Sequence, residues 1–315
     1  MFPAAALQSD IFRLYFFIMV ALLLAAGAIL SLLTWGLGKD VRSVWTTYRS
    51  WLVMTVLVVG AVFAGRFVSI MFFSLLAIFG FKEFARATGL YRDWWMTGAA
   101  YLAIVCVGMV TLITDPNNSQ PGWYGLFMTL PVYAIAALLI VPILRNQPAG
   151  QVQTVSLAIV GFVYIGWMFG HLGFLTNSAH AYGYLLYLIV AVEVNDVAAF
   201  VFGKLFGRHK LRSNISPNKT WEGSLGALAV SLVLPWALWF SFPHFGPLQL
   251  ILAGLIIGVG GQLGDLSISF IKRDLGIKDT GAVIPGHGGI LDRLDSLIYT
   301  SPLFLHMVDY FYKHW

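Results

Sequence analysis

The sequence predicts an all-α polytopic integral membrane protein of about ten transmembrane helices with two large polar cytoplasmic loops. Three observations lead there. Hydrophobic residues make up 59% of the 315 and charged residues only 10%. Long apolar runs recur along the whole chain, and about 18–25 such residues can cross the hydrocarbon layer as a helix. Lysine and arginine fall almost entirely in alternate gaps between those runs. No polar segment is long enough to bury a core of its own, so residues 1–315 read as one membrane domain.

The expected spans are 12–37, 51–65, 67–81, 95–114, 124–144, 152–175, 183–203, 223–242, 248–266 and 296–312. The first is too long for a signal-peptide core and lacks a clean cleavage site, so it is kept as a helix. The second and third are short and meet near Arg66, as a tight hairpin or with one of them re-entrant. The loops after spans 1, 3, 5, 7 and 9 hold 16 of the 19 basic residues, leaving only Arg13, Arg66 and Lys313 elsewhere. By the positive-inside rule those loops are cytoplasmic and both termini lie outside. The single cysteine, Cys106, sits inside an apolar run. It allows no internal disulfide and no cysteine-based metal site. Gly166 and Gly170, four apart, suit close helix packing.

Most basic residues need no explanation beyond topology and attraction to anionic headgroups of membrane lipids. The two large polar loops do. Lys272–Asp295 holds eight charged residues and a histidine, and Gly203–Gly223 mixes bases with Glu222. Glu193 and Asp196 lie inside the seventh span, three apart and so on one helix face. A carboxylate at a helix centre costs about 3 kcal/mol on the lenient insertion scales, which points to a polar cavity or an ion path. Asp292 and Asp295 repeat that spacing in the first turn of the last span, and Asp265 closes the ninth. Together these three make a cluster of oxygen ligands suited to a hard cation such as Mg²⁺, one ion or two. The neighbouring lysines and arginines suit phosphates, and the glycines of Pro285–Gly289 let backbone amides approach an anion. Acids for metal, bases for phosphate and a glycine loop describe a nucleotide site. The spacing of a P-loop is absent. His287 is open between base, phosphate donor and plain loop residue. Ser216 and Thr280 show no base partnered with them, so no activated nucleophile is evident. Nothing points to nucleic acid as a partner.

The stretch SFIKRDLGIKDTGAVIPGHGGILDRLD, Ser269 to Asp295, resembles the signature of the phosphatidate cytidylyltransferases, also called CDP-diacylglycerol synthases. NDVAAF…SPNKTWEG, Asn195 to Gly223, and GQLGD, Gly261 to Asp265, resemble two further elements of that family. The resemblance covers roughly residues 181–315, a catalytic signature region. The helices of 1–180 have no role assigned by it. It implies transfer of a cytidylyl group from CTP to phosphatidate, with Mg²⁺, in phospholipid biosynthesis. It implies catalytic roles for Lys219, Asp265, Asp292 and Asp295, with Asp265 and Asp292 at the metal; Asp295 joins them through its spacing. Lys219, Lys272, Arg273, Lys278, His287 and Arg293 would meet phosphates, and Glu193 and Asp196 would be cavity acids. Family members often form homodimers, and the short chain looks more like a member from a bacterial cytoplasmic (inner) membrane. One position departs: where many members carry an acid, this chain has Ile268. The rival readings are a CTP-dependent lipid kinase, which would release CDP, and a cation-coupled transporter using Glu193 and Asp196.

Overall fold

The computed structural model describes residues 3–38, 40–281, 284 and 288–312. A short helix α1 (Pro3–Gln8) leads to α2 (Asp10–Ser31), whose Ser9 cap accepts a hydrogen bond from the Phe12 amide (3.2 Å). Residues Leu32–Gly36 extend α2 as a wide turn with i to i+5 hydrogen bonding.

The next two helices depart from the expectation of short or re-entrant spans. α3 (Arg42–Ala64) and α4 (Arg66–Ala87) have 23 and 22 residues. The polar run Arg42–Ser50 winds into α3 because its aromatics find partners on α2. The Tyr48 hydroxyl donates to Leu23 O (3.0 Å), and Trp45 Nε1 donates to Thr34 Oγ1 (2.9 Å). The hairpin turns on Gly65 alone, at φ 105°, a conformation that a side chain would strain.

α5 (Trp94–Leu112) and α6 (Tyr124–Leu144) follow. Asp93 caps α5 by accepting from the Met96 amide, and its carboxylate takes two hydrogen bonds from Arg145 at the end of α6 (2.9 and 2.7 Å). At the far end of α5, Arg66 donates to the carbonyls of Thr111 and Leu112 (3.0 and 2.8 Å). A cation on the orphan carbonyls at a helix C-terminus is favoured by their partial negative charge. That accounts for a basic residue standing outside the basic loops.

α7 (Gln151–Gly161) and α8 (Phe169–Phe174) are joined without a break by the wide turn Phe162–Met168. Gly166 and Gly170 do face α5 closely. A methyl group at either would come within 2.7 Å of Ile104 or 2.6 Å of Val107.

α9 (Ala181–Phe206) is followed by a two-stranded antiparallel ribbon, β1 (Lys210–Arg212) and β2 (Ser216–Thr220), where the composition predicts only a polar loop. Glu222 ties its base, taking hydrogen bonds from the His209 ring (2.6 Å) and the Arg208 and His209 amides (3.1 and 3.2 Å). These partners, the His209 ring first, hold the Glu222 carboxyl well below the usual carboxylate range. Thr220 caps α10 (Trp221–Ala237). α11 (Pro247–Leu255), the wide turn Ile256–Gly260 and α12 (Gly261–Asp274) form one long rod. α13 (Leu291–Phe311) completes the bundle.

Among the described residues, eight helical segments, from Asp10–Gly36 to Pro247–Asp274, are long and apolar enough to cross a membrane. α10, with 17 residues, and α13, with acids in its first turn, are the remaining two of the expected ten and lie outside that set. α10 packs on α9, α12 on α13, and α13 also on α4 and α8. The interior of this half is aromatic, with Tyr184, Tyr187, Phe242 and Phe304 fully buried against one another. α2, by contrast, is largely exposed, as a lipid-facing helix would be.

Candidate active site

α12 runs on past its expected end at 266 to Asp274, so Asp265 and Lys272, two turns apart, share one face of it. α13 starts at Leu291, which puts Asp292 and Asp295 in its first two turns. Gly264 is what lets these helices cross closely. A methyl there would collide with the Asp295 carbonyl and lie 2.8 Å from Ser296 Cα. α9 supplies Glu193 and Asp196. Asn195 between them is fully buried and accepts from Ser231 Oγ of α10 (3.1 Å).

These elements enclose a cavity of about 150 Å³ lined by Val192, Glu193, Asp196, Asp265, Lys272, Asp279, Asp292, Arg293 and Asp295. Two ion pairs join the separate sequence elements across it. Lys219 Nζ, from β2, lies 2.6 Å from Asp265 Oδ2, and Lys272 Nζ lies 2.7 Å from Asp292 Oδ1. The second pair is the more buried, with side chains 13% and 6% exposed. Asp292 Oδ2 is also saturated, accepting from the Thr280 amide (3.0 Å), the Thr280 hydroxyl (3.1 Å) and the Gly289 amide (3.0 Å). Asp265 Oδ1 accepts from Ser269 Oγ (3.1 Å). Asp295 is buried, its Oδ1 on the Ser296 amide (2.7 Å).

The site residues expected from sequence therefore divide. Lys219, Asp265, Lys272, Asp292, Arg293, Asp295, Glu193 and Asp196 come together at one cavity. The Nε of Arg293 is buried with no hydrogen-bond partner among the described residues. Arg273 and Lys278 are exposed and do not line the cavity; Arg273 instead donates to the Ile215 carbonyl (3.2 Å) and ties α12 to the ribbon. His287 lies outside the described residues. Ile268 is fully buried in the apolar core. Thr280 corrects the sequence reading, since its hydroxyl does meet carboxylates, those of Asp292 and Glu83 (3.1 and 3.3 Å). Both acids already accept backbone amides, Asp292 from Thr280 and Gly289 and Glu83 from Ile290 and Leu291. Asp279 was missed as a lining residue; its place in the Lys278–Asp279 step of the signature was the available signal.

Six carboxylates and no thiol surround this space, and three bases reach it. That donor chemistry fits a hard divalent cation, because surplus negative charge would otherwise repel a polyphosphate. Among the described residues no three acids already converge on one point, and Asp265 and Asp292 hold lysines instead.

The family model described as the cytidylyltransferase family matches residues 45–311. The chain belongs to this family. The match runs from α3 to α13 and takes in every element around the cavity. The cytidylyltransferase is 35% identical over 251 residues to a phosphatidate cytidylyltransferase of Staphylococcus aureus (strain COL), covering 76% of this chain and 89% of that protein. It is 40% identical over 160 residues to one from Staphylococcus haemolyticus (strain JCSC1435), covering 50% of this chain and 60% of that protein. It is 30% identical over 297 residues to the uncharacterized protein YnbB of Escherichia coli (strain K12), covering 92% of this chain and 96% of that protein.

Proposed function

We infer that this cytidylyltransferase transfers the cytidylyl group of CTP to phosphatidate, giving CDP-diacylglycerol and pyrophosphate in phospholipid synthesis. The observation that carries the reading is the meeting of β2, α12 and α13 at one charged cavity, through Lys219–Asp265 and Lys272–Asp292. The staphylococcal relatives, which are phosphatidate cytidylyltransferases by name, supply the substrate class.

A phosphate oxygen of the lipid attacks the α-phosphorus of CTP. The new P–O bond forms as the bond to the oxygen bridging the α- and β-phosphorus breaks, and that oxygen leaves with pyrophosphate. Lys219, Lys272 and Arg293 neutralise the phosphates of both anions. Asp265, Asp292 and Asp295 would hold Mg²⁺, which when bound supplies further charge neutralisation on the phosphates. Glu193 and Asp196 form the α9 wall and keep the cavity polar. The nucleophile is already an anion, so alignment and electrostatics carry most of the acceleration and a covalent enzyme intermediate gains little.

Purified protein with CTP, phosphatidate and Mg²⁺ should yield CDP-diacylglycerol and pyrophosphate. Release of CDP would instead make it a lipid kinase. A chiral α-thio-CTP should give inversion at phosphorus, and labelled pyrophosphate should not enter CTP unless lipid is present. Retention with lipid-independent exchange would overturn the single step and turn attention to Thr280.

The site belongs on the cytoplasmic face of a bacterial inner membrane, from the placement of the basic residues. A cysteine at the exposed Ser213, in a Cys106→Ala background, should resist an impermeant thiol reagent in intact cells and react after lysis. Labelling in intact cells would invert the orientation.

A further inference from the structure

Glu83 belongs to neither signature stretch. It sits near the end of α4, among the helices of 1–180 that the resemblance leaves without a role, and is only 8% exposed. Its carboxylate reaches residues about two hundred positions further on. Oε1 accepts from the Ile290 amide (2.9 Å), and Oε2 accepts from the Leu291 amide (2.8 Å) and the Thr280 hydroxyl (3.3 Å). Among the described residues it makes no ion pair.

α13 needs such a partner. Its capping position is Ile290, whose side chain cannot accept a hydrogen bond, so the first amides of the helix are orphans in its own sequence. A carboxylate is also the group favoured at a helix N-terminus. Two glycines of the signature are explained by the same contact. A methyl on Gly281 would lie 2.5 Å from Glu83 Oε1, and one on Gly289 would collide with Oε2. The two ends of the glycine loop thus close around this one side chain.

We propose that Glu83 is a positioning residue for cytidylyl transfer: from α4 it clamps both ends of the signature loop and thereby fixes Asp292. The link to Asp292 is direct. The Thr280 hydroxyl lies between the two carboxylates, and the Thr280 and Gly289 amides that hold Asp292 Oδ2 belong to the same clamped ends. This rests on the function inferred above, and it gives the N-terminal half a part in the chemistry.

Glu83→Gln keeps the size of the side chain but turns an amide NH₂ toward N–H donors. In the full-length purified protein, hydrogen exchange at residues 288–292 should rise at least about tenfold, with exchange in α9 unchanged. The kcat for CDP-diacylglycerol should fall about 100-fold, the scale expected when a supporting residue misplaces a catalytic group, while KM for phosphatidate stays within about threefold. Unchanged exchange at residues 288–292 would overturn the proposal, as would a kcat within twofold of wild type. So would a uniform rise in exchange through α4, α9 and α13, which would mark Glu83 as a general stabiliser of the bundle. The exchange measurement needs no turnover. If the wild type makes no CDP-diacylglycerol, the inferred function fails, and the clamp is still decided separately.

Discussion

Asp292→Asn is expected to lower kcat roughly 1,000-fold, the order seen when one preorganised electrostatic partner is removed from an active site. The side chain has no tolerable orientation for an amide. One carboxylate oxygen faces the Lys272 ammonium, and the other accepts two amides and a hydroxyl. An NH₂ in either place sets donor against donor. Turned toward Lys272, it also leaves a largely buried ammonium without its counter-charge, a change that costs about 3–5 kcal/mol in buried pairs. Asp265→Asn should behave alike, because its two oxygens are divided between Lys219 and Ser269. Turnover would be compared at equal membrane levels, with monodisperse elution as the check on folding. Wild-type-like rates in either variant would remove that acid from the site.

Gly264→Ala should be nearly as damaging although it touches no charge. The added methyl would meet the backbone of Asp295 and Ser296, which cannot swing aside as a side chain would. α12 and α13 must separate, and with them Asp265 from Asp292 and Asp295. Overpacking of this kind costs about 1–3 kcal/mol, and a displacement near 1 Å between reacting groups is enough for about a 100-fold loss in rate. Gly98→Ala is the matched control, since nothing lies within 4 Å of a methyl there and alanine is the better helix former. The melting temperature and kcat of the two variants should diverge clearly. If Gly264→Ala follows Gly98→Ala in both, the close crossing is not what sets the site.

The long apolar runs and the alternation of basic loops were legible from composition alone, Glu193 and Asp196 as local departures from an apolar background, and Asp265, Asp292 and Asp295 from the signature stretches that hold them. A carboxylate within a span signals a cavity wherever it lies. What escaped was long-range. Glu83 sits among lysine and arginine at a helix end, where an acid looks like surface decoration, and only folding shows that its donors are Ile290 and Leu291. Lys219 and Asp265 belong to recognisable but separate stretches, and no periodicity could pair them. Arg273 and Lys278 were included by proximity in sequence, yet α12 carries Arg273 toward the ribbon and Lys278 lies beyond its end, exposed. The N-terminal part of α3 was lost because Arg42–Ser50 is polar by composition, while its aromatics are satisfied across the helix pair.

The wide turn Ile256–Gly260 has a bearing on how this chain can change over generations. An α-helix advances about 100° per residue, so one residue more or less rotates everything beyond it by that angle. A turn of i to i+5 bonding is the trace of such an added residue absorbed within a continuous rod. It sets the angular phase between the packing of α11 on α10 and the face of α12 that carries Asp265 and Lys272. Deleting one residue there would restore regular winding with those two side chains still facing α13, whereas deleting one from the regular turns on either side would rotate them about 100° away. Gene copies that lose the extra residue in this turn can persist, whereas copies with altered length in the regular turns around it are the ones selection would remove.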